Sequence, residues 1–119
     1  MLVKNKELLQ LIKQEFSKDN TEFVLAHLSD DVKWNIVGMP IIVGKNEFIK
    51  TMKMFELWRS NEEENFSSIK IKNVIAEGEY VVVESSGKFD TTAYCDICRI
   101  SDGIVQEITT YVVDTTFNE

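Results

Sequence analysis

Beyond residue 65 the chain is built almost entirely from alternating β-prone residues. The segments 66 to 76, 80 to 88, 91 to 101 and 104 to 115 read as strands. The pieces between them, Glu77-Gly78-Glu79, Phe89-Asp90 and Asp102-Gly103, are short enough to close hairpins. Strands joined by tight turns run antiparallel to their sequence neighbours, so this half of the chain is expected to form a four-stranded meander.

The first half carries the helical period instead. Leu8, Leu9, Ile12 and Phe16 recur at helical spacing and predict a helix from about Asn5 to Ser17. Asp19-Asn20-Thr21 supplies cap candidates for a short second helix carrying Phe23, Val24, His27 and Leu28. A turn at Ser29-Asp30-Asp31 then leads into a first strand over 32 to 37, with Val32, Trp34 and Ile36 on one face. Gly38-Met39-Pro40 ends it. Phe48, Ile49, Met52, Phe55 and Trp58 predict an amphipathic third helix over 45 to 58, and the acidic stretch Glu62-Glu63-Glu64-Asn65 a solvated loop. Three helices followed by a meander define an α+β fold with the helices covering one sheet face. With 119 residues, 44% of them hydrophobic, the chain suits one domain spanning 1-119.

Several function classes fall away. No run of about 18 apolar residues occurs, so no membrane span is expected. The segment from Met1 to Phe16 scatters Lys4, Lys6, Glu7, Lys13 and Glu15 among its leucines, unlike a secretory signal, and the expectation is a soluble, cytoplasmic protein. A net charge of −7 repels phosphate backbones, which argues against nucleic acid; Lys70 and Lys72 read as a solvated strand face. Cys95 and Cys98 spell C-x-x-C, but on a strand side chains three apart point to opposite faces, so the pair is read as small core or interface residues and not as a redox couple. His27 is the chain's one histidine and completes no zinc ligand set. Without a glycine-rich phosphate loop, haem motif or metal cluster, no cofactor is expected.

The order helix, helix, strand, helix and four long strands resembles the nuclear transport factor 2-like superfamily, which includes SnoaL-like polyketide cyclases and ketosteroid isomerases. The segments that carry the resemblance are Leu28-Ser29-Asp30-Asp31-Val32-Lys33-Trp34, Gly38-Met39-Pro40 with Val43-Gly44-Lys45, Glu79-Tyr80-Val81-Val82-Val83-Glu84, and Ser101 to Ile108 followed by Tyr111 and Asp114. The resemblance implies a cone-shaped, curved antiparallel sheet wrapped around the helices, a cystatin-like α+β barrel. It also implies an apolar pocket for a small apolar ligand and a homodimer formed through the convex sheet face. Reaction does not follow from fold.

Candidate chemistry centres on Asp96, a carboxyl group placed mid-strand beside Tyr94, Cys98 and Ile100, where it is costly unless paired or protonated. The resemblance implies for Asp96 the part of the neutral aspartic acid that donates a hydrogen bond to an oxyanion in ketosteroid isomerase, the case from which that chemistry is known. Asp114, in register with Ile108, Thr110 and Val112, is the second candidate acid or base, unless a bulge turns it outward. Glu84 interrupts Val81-Val82-Val83 either as a cavity residue or as an edge charge. Trp34, Phe16, Phe55, Trp58, Tyr94 and Tyr111, with Ile108 and Thr110, are candidates for the pocket wall or for plain core. His27 reads as structural at a helix end.

Two departures argue against the isomerase mechanism itself. Asn35, Ile36 and Val37 stand where its general base would be, and Phe16 where its phenolic donor would be. Arg99 lies on the face opposite Asp96, against an epoxide-hydrolase cluster. The expectation is a small-molecule-binding protein, either a cofactor-independent cyclase or isomerase working by acid-base chemistry on an apolar carbonyl compound or a non-catalytic binding or dimerisation module. A protein-interaction domain is the third reading.

Overall fold

The computed structural model describes residues 4–61, 70–87 and 92–114, with the side chains of 17 and 55–61 outside the description. Helix α1 spans Asn5–Ser17, as its leucine spacing predicts, and buries Leu8, Leu9, Ile12 and Phe16. It stops where Asp19 enters the left-handed region (φ 65°) and the amide of Asn20 turns back to the carbonyl of Glu15 at 2.9 Å. Asn20 then caps α2 (Thr21–Ala26): its side chain accepts from the amide of Phe23 at 3.3 Å, satisfying a donor that the first helical turn leaves open.

Strand β1 runs Leu28–Ile36, longer than the predicted 32 to 37. Leu28 belongs to it and not to the second helix, and the Ser29-Asp30-Asp31 segment is an irregularity within the strand, where the pairing with its neighbour shifts between Leu28 and Lys33. A two-residue strand β2, Ile42–Val43, pairs with Lys33 and Trp34; two residues are too few to show alternation in a sequence. Helix α3 spans Lys45–Asn61 and lies against β1 and β2. The meander follows as β3 (Lys70–Glu77), β4 (Tyr80–Ser86), β5 (Thr92–Ser101) and β6 (Ile104–Asp114). The Asp102-Gly103 turn has positive φ at both residues (51° and 75°), the left-handed pair that a two-residue hairpin favours. The predicted solvated loop at 62 to 65, the start of the third strand at 66 to 69 and the turn at Phe89-Asp90 lie outside the described residues.

The six strands are ordered β2-β1-β6-β5-β4-β3. The expectation of an antiparallel sheet needs correction: β1 and β6 pair in parallel, so the sheet is mixed. The two are far apart in sequence and share no hairpin, so no tight turn forces them to oppose each other. The inner face of the sheet carries Val32, Trp34, Ile36, Val81, Val83, Cys98 and Ile100 in one buried cluster with Leu8, Leu9, Ile12, Phe16, Val24, Phe48 and Ile49 of the helices. Burial of those side chains against α1 and α3 holds the helices to this face, at about 1.5–3 kcal/mol for each large apolar group.

Candidate functional site

Strand register decides which residues meet. Trp34, Ile108, Cys98 and Val81 pair across β1, β6, β5 and β4, and the next row is Ile36, Thr110, Asp96 and Val83. Paired residues share a face, so Asp96 lies on the inner, helix-covered side among apolar neighbours. The indole of Trp34 packs on Phe48 at 4.9 Å between ring centroids and sends its Nε1–H to Thr110 Oγ1 at 2.9 Å. The Thr110 hydroxyl in turn donates to Asp96 Oδ1 at 2.6 Å. From α1, Lys13 Nζ stands 3.9 Å from the other oxygen, Oδ2.

This chain has a direction. An indole nitrogen can only donate, so the Thr110 oxygen accepts from Trp34, and its own proton is directed at Asp96. Asp96 is therefore held as an acceptor at Oδ1, with an ammonium beside Oδ2. An acceptor at Oδ1 leaves Oδ2 as the oxygen that would carry the proton of the neutral, donating aspartic acid that the resemblance implies. The same charge reaches Cys98 next door, whose thiol is pushed up to about 12, first by burial and then by Asp96, with Lys13 working the other way.

The other sequence-predicted residues fall into three groups. Phe16 is buried and Tyr94 half-buried on the inner side, and Ile108 packs against the core beside Trp34 and Cys98. Asp114 pairs with Thr92 in a register that is unbroken back to Asp96, so no bulge turns it to the other face; it is exposed, however, and four positions from Thr110 along β6. At the rise of a strand that separation is about 13 Å, too far for Asp96 and Asp114 to share a proton. The described bulge is at the other end of the strand pair, between Arg99 and Ile100.

Glu84 requires correction as a ligand-binding candidate. It pairs with Cys95 and Asn73, which puts it on the outer face, exposed, accepting from Asn73 Nδ2 at 2.6 Å. Its interruption of an apolar run is the outward half of a period-2 pattern. Tyr111 also belongs outside: it pairs with Cys95 and is 45% exposed. Of Phe55 and Trp58 only the helical backbone is described, and their side chains lie outside the described residues.

Arg99 sits on the outer face, bonded to Glu107 at 3.1 Å and close to Glu79. His27 caps α2, with Nδ1 2.8 Å from the carbonyl of Phe23 and its ring 4.4 Å from the Phe23 ring. Cys95 and Cys98 are free, the first half-buried and the second buried. Among the described residues no group of three or more His, Cys, Asp and Glu side chains could hold a metal ion, and no helix is long and apolar enough to cross a membrane. A separate cleft of about 540 Å³ opens at the other end of the fold, lined by Asn5, Leu8, His27 and the β5–β6 turn.

Lys13 escaped the sequence analysis, where it counted only as a charge. Its signal is positional. It follows Leu9 by four residues and precedes Phe16 by three, so it lies on the buried stripe of α1, whereas Lys6, Glu7, Gln10 and Gln14 are exposed.

No family model matches the chain, and no curated protein sequence does. Solved structures do. An NTF2-like protein of unknown function from Cytophaga hutchinsonii is 23% identical, with a TM-score of 0.67 over 92% of this chain and 100% of its own. A candidate SnoaL-like polyketide cyclase from Jannaschia sp. is 13% identical, with a TM-score of 0.71 over 89% and 83%. A candidate ketosteroid isomerase from Kribbella flavida is 15% identical, with a TM-score of 0.66 over 92% and 77%. The chain thus has the nuclear transport factor 2-like fold. Similarity at these identities establishes architecture and leaves the chemistry to the site.

Proposed function

We propose that the inner face around Asp96 binds a small apolar carbonyl compound, and that Asp96 moves a proton on it without a cofactor. The observation that carries this reading is the directed chain Trp34 to Thr110 to Asp96. It uses Oδ1 as a fixed acceptor and leaves Oδ2 as the oxygen that can take a proton. Trp34, Phe16, Tyr94 and Ile108 supply apolar contact around it. A sheet curled into a cone over the helices would complete the pocket wall.

In the step proposed, the C–H bond next to the substrate carbonyl breaks and its proton bonds to Asp96 Oδ2. The electron pair moves through the carbonyl group to give an enolate. Return of the proton to a different carbon completes an isomerisation. Alternatively, attack of the enolate carbon on a second carbonyl of the same molecule closes a ring, and Asp96 returns its proton to the resulting alkoxide. One carboxylate serves both routes, so Asp114 is not required.

The test is proton exchange. Wild-type protein in D2O is expected to accelerate deuterium incorporation at C1 of 2-tetralone, followed by proton NMR, and Asp96→Asn to bring the rate down to that of buffer. Equal rates for wild type and Asp96→Asn would remove Asp96 from the role. A second reading, a binding module without chemistry, is favoured by the distance of Asp114 from Asp96, which leaves one of the two candidate carboxylates at the site. It predicts retention of apolar compounds in native mass spectrometry with no exchange.

We further propose that the outer sheet face mediates a homodimer. Ile75 (64% exposed), Tyr80 (49%), Tyr111 (45%) and Val113 (56%) present apolar area there, which supports the reading.

A further inference from the structure

We infer that Lys13 is the oxyanion-receiving group of the site, and that its ligands are therefore carbonyl compounds whose deprotonated form places negative charge on oxygen beside α1. The inference rests on the proton-transfer reading of Asp96 and adds a second residue to it.

Lys13 emerges between Leu9 and Phe16, two buried residues of the same helix face, and its side chain is 38% exposed. A lysine in that position lays its methylene stem along apolar surface and carries its ammonium to the polar end of the site. There the ammonium stands 3.9 Å from Asp96 Oδ2. At 3.9 Å the pair is an ion pair without a close hydrogen bond, so the ammonium keeps its protons for another oxygen.

Charge bookkeeping through the reaction explains why the placement matters. Before proton transfer the negative charge is on Asp96. Afterwards Asp96 is neutral and the charge is on the enolate oxygen of the bound molecule. The C–H electron pair has become the enolate pair, and the proton is on Oδ2. At 3.9 Å, without a close hydrogen bond, the cation holds the charge on Asp96 only loosely; with the carbonyl oxygen bound on the α1 side it can hydrogen-bond the enolate oxygen directly, and so favours the charge more after transfer than before. The hydrogen bond from Thr110 is directed at Oδ1 and cannot follow the charge in this way. The Lys13 ammonium can donate to the product oxygen, and a donor aimed at developing charge typically contributes about 10²–10³-fold in rate.

The experiment uses the full chain and the same exchange of 2-tetralone in D2O, run to saturation so that kcat and KM separate. Lys13→Met is expected to lower kcat about 10²-fold with KM changed less than about twofold, because a neutral ketone gains little from the cation until it ionises. Lys13→Arg restores most of the lost rate, since it keeps the charge. Circular dichroism and a thermal melt of each variant verify folding; if Lys13→Met melts early, Lys13→Gln takes its place. Unchanged kcat in Lys13→Met, with exchange still abolished by Asp96→Asn, overturns the inference and leaves the proton-transfer reading standing. No acceleration by wild type over buffer overturns both.

Discussion

Glu84 and Asp96 occupy adjacent strands, and each accepts one side-chain hydrogen bond of 2.6 Å, from Asn73 and Thr110 respectively. Glu84 is directly opposite Cys95, the residue next to Asp96. By residue type and bond length the two carboxylates are near equals. They differ in sheet face. Glu84 points outward and is exposed, where water solvates whatever Asn73 does not. The Asp96 side chain is 19% exposed on the helix-covered face, its donor Thr110 is buried, and a lysine is the charged neighbour. A contact in water is replaceable, whereas a contact in the interior must be made by the protein or lost at full desolvation cost. The single-residue step along β5 from Cys95 to Asp96 therefore separates surface decoration from a place where chemistry is possible.

The largest test of that division concerns packing. Ile100 on the inner face is 1% exposed, and Ile75 on the outer face 64%. Ile100→Ala is expected to cost about 2–5 kcal/mol in urea unfolding, through lost transfer energy and the cavity left behind. Ile75→Ala should stay within about 0.5 kcal/mol. A large cost for Ile75→Ala that grows with protein concentration would break the comparison in an informative way, because it would mean that a second copy covers the outer face.

Next in size is the paired test of the hydrogen bonds themselves. Thr110→Val keeps the side-chain shape but removes both the acceptor of the Trp34 Nε1–H and the donor to Asp96 Oδ1. Its expected cost is about 1–3 kcal/mol. Asn73→Ala removes an equally short bond on the exposed face, and about 0–0.5 kcal/mol is expected. Similar costs for the two would show that water reaches Thr110 as freely as Asn73, and the case for a sheltered proton-transfer site would fail.

Periodicity exposed most of the architecture. The stripe of Leu8, Leu9, Ile12 and Phe16 marks α1 to the residue, and Asp102-Gly103 marks its hairpin, because both signals are local: helix spacing in one case, left-handed backbone in the other. The parallel pairing of β1 with β6 was hidden, since it depends on two segments from opposite ends of the chain and no local pattern encodes its direction. The site shows the same split. Asp96 was visible as a charge among apolar residues of one strand. That Glu84 has the other parity needed the cross-strand register, and that Thr110 and Lys13 are its neighbours needed β6 and α1 to be placed beside β5. Lys13 could have been suspected from Leu9 and Phe16 alone, but a lysine on a buried stripe more often snorkels to solvent than reaches a carboxylate.

The smallest effect separates the two cysteines, which the three-residue spacing on β5 sends to opposite faces. Burial, Asp96 and Glu84 all push the Cys95 thiol up, in that order, yet Cys95 is only half-buried and should react slowly with a colorimetric thiol reagent in the native protein. Cys98 is pushed up to about 12, mainly by burial, and should react only after unfolding, so that native protein titrates one thiol and denatured protein two. The same difference has a pH signature. In the unfolded chain the Cys98 thiol ionises near the ordinary value of 9.0, whereas the folded chain holds its proton up to about 12. Below about pH 9 neither state has lost that proton, and the contribution to stability is present in full. Between about 9 and 12 only the unfolded state ionises, which draws the equilibrium toward it, and the contribution is lost as pH rises. Cys98→Ala should therefore be less stable than wild type at pH 7 but show a shallower decline above pH 9, and Cys95→Ala should track the wild-type slope more closely. If Cys95→Ala flattened the curve more than Cys98→Ala, the assignment of Cys98, and with it Asp96, to the sheltered side of β5 would be reversed.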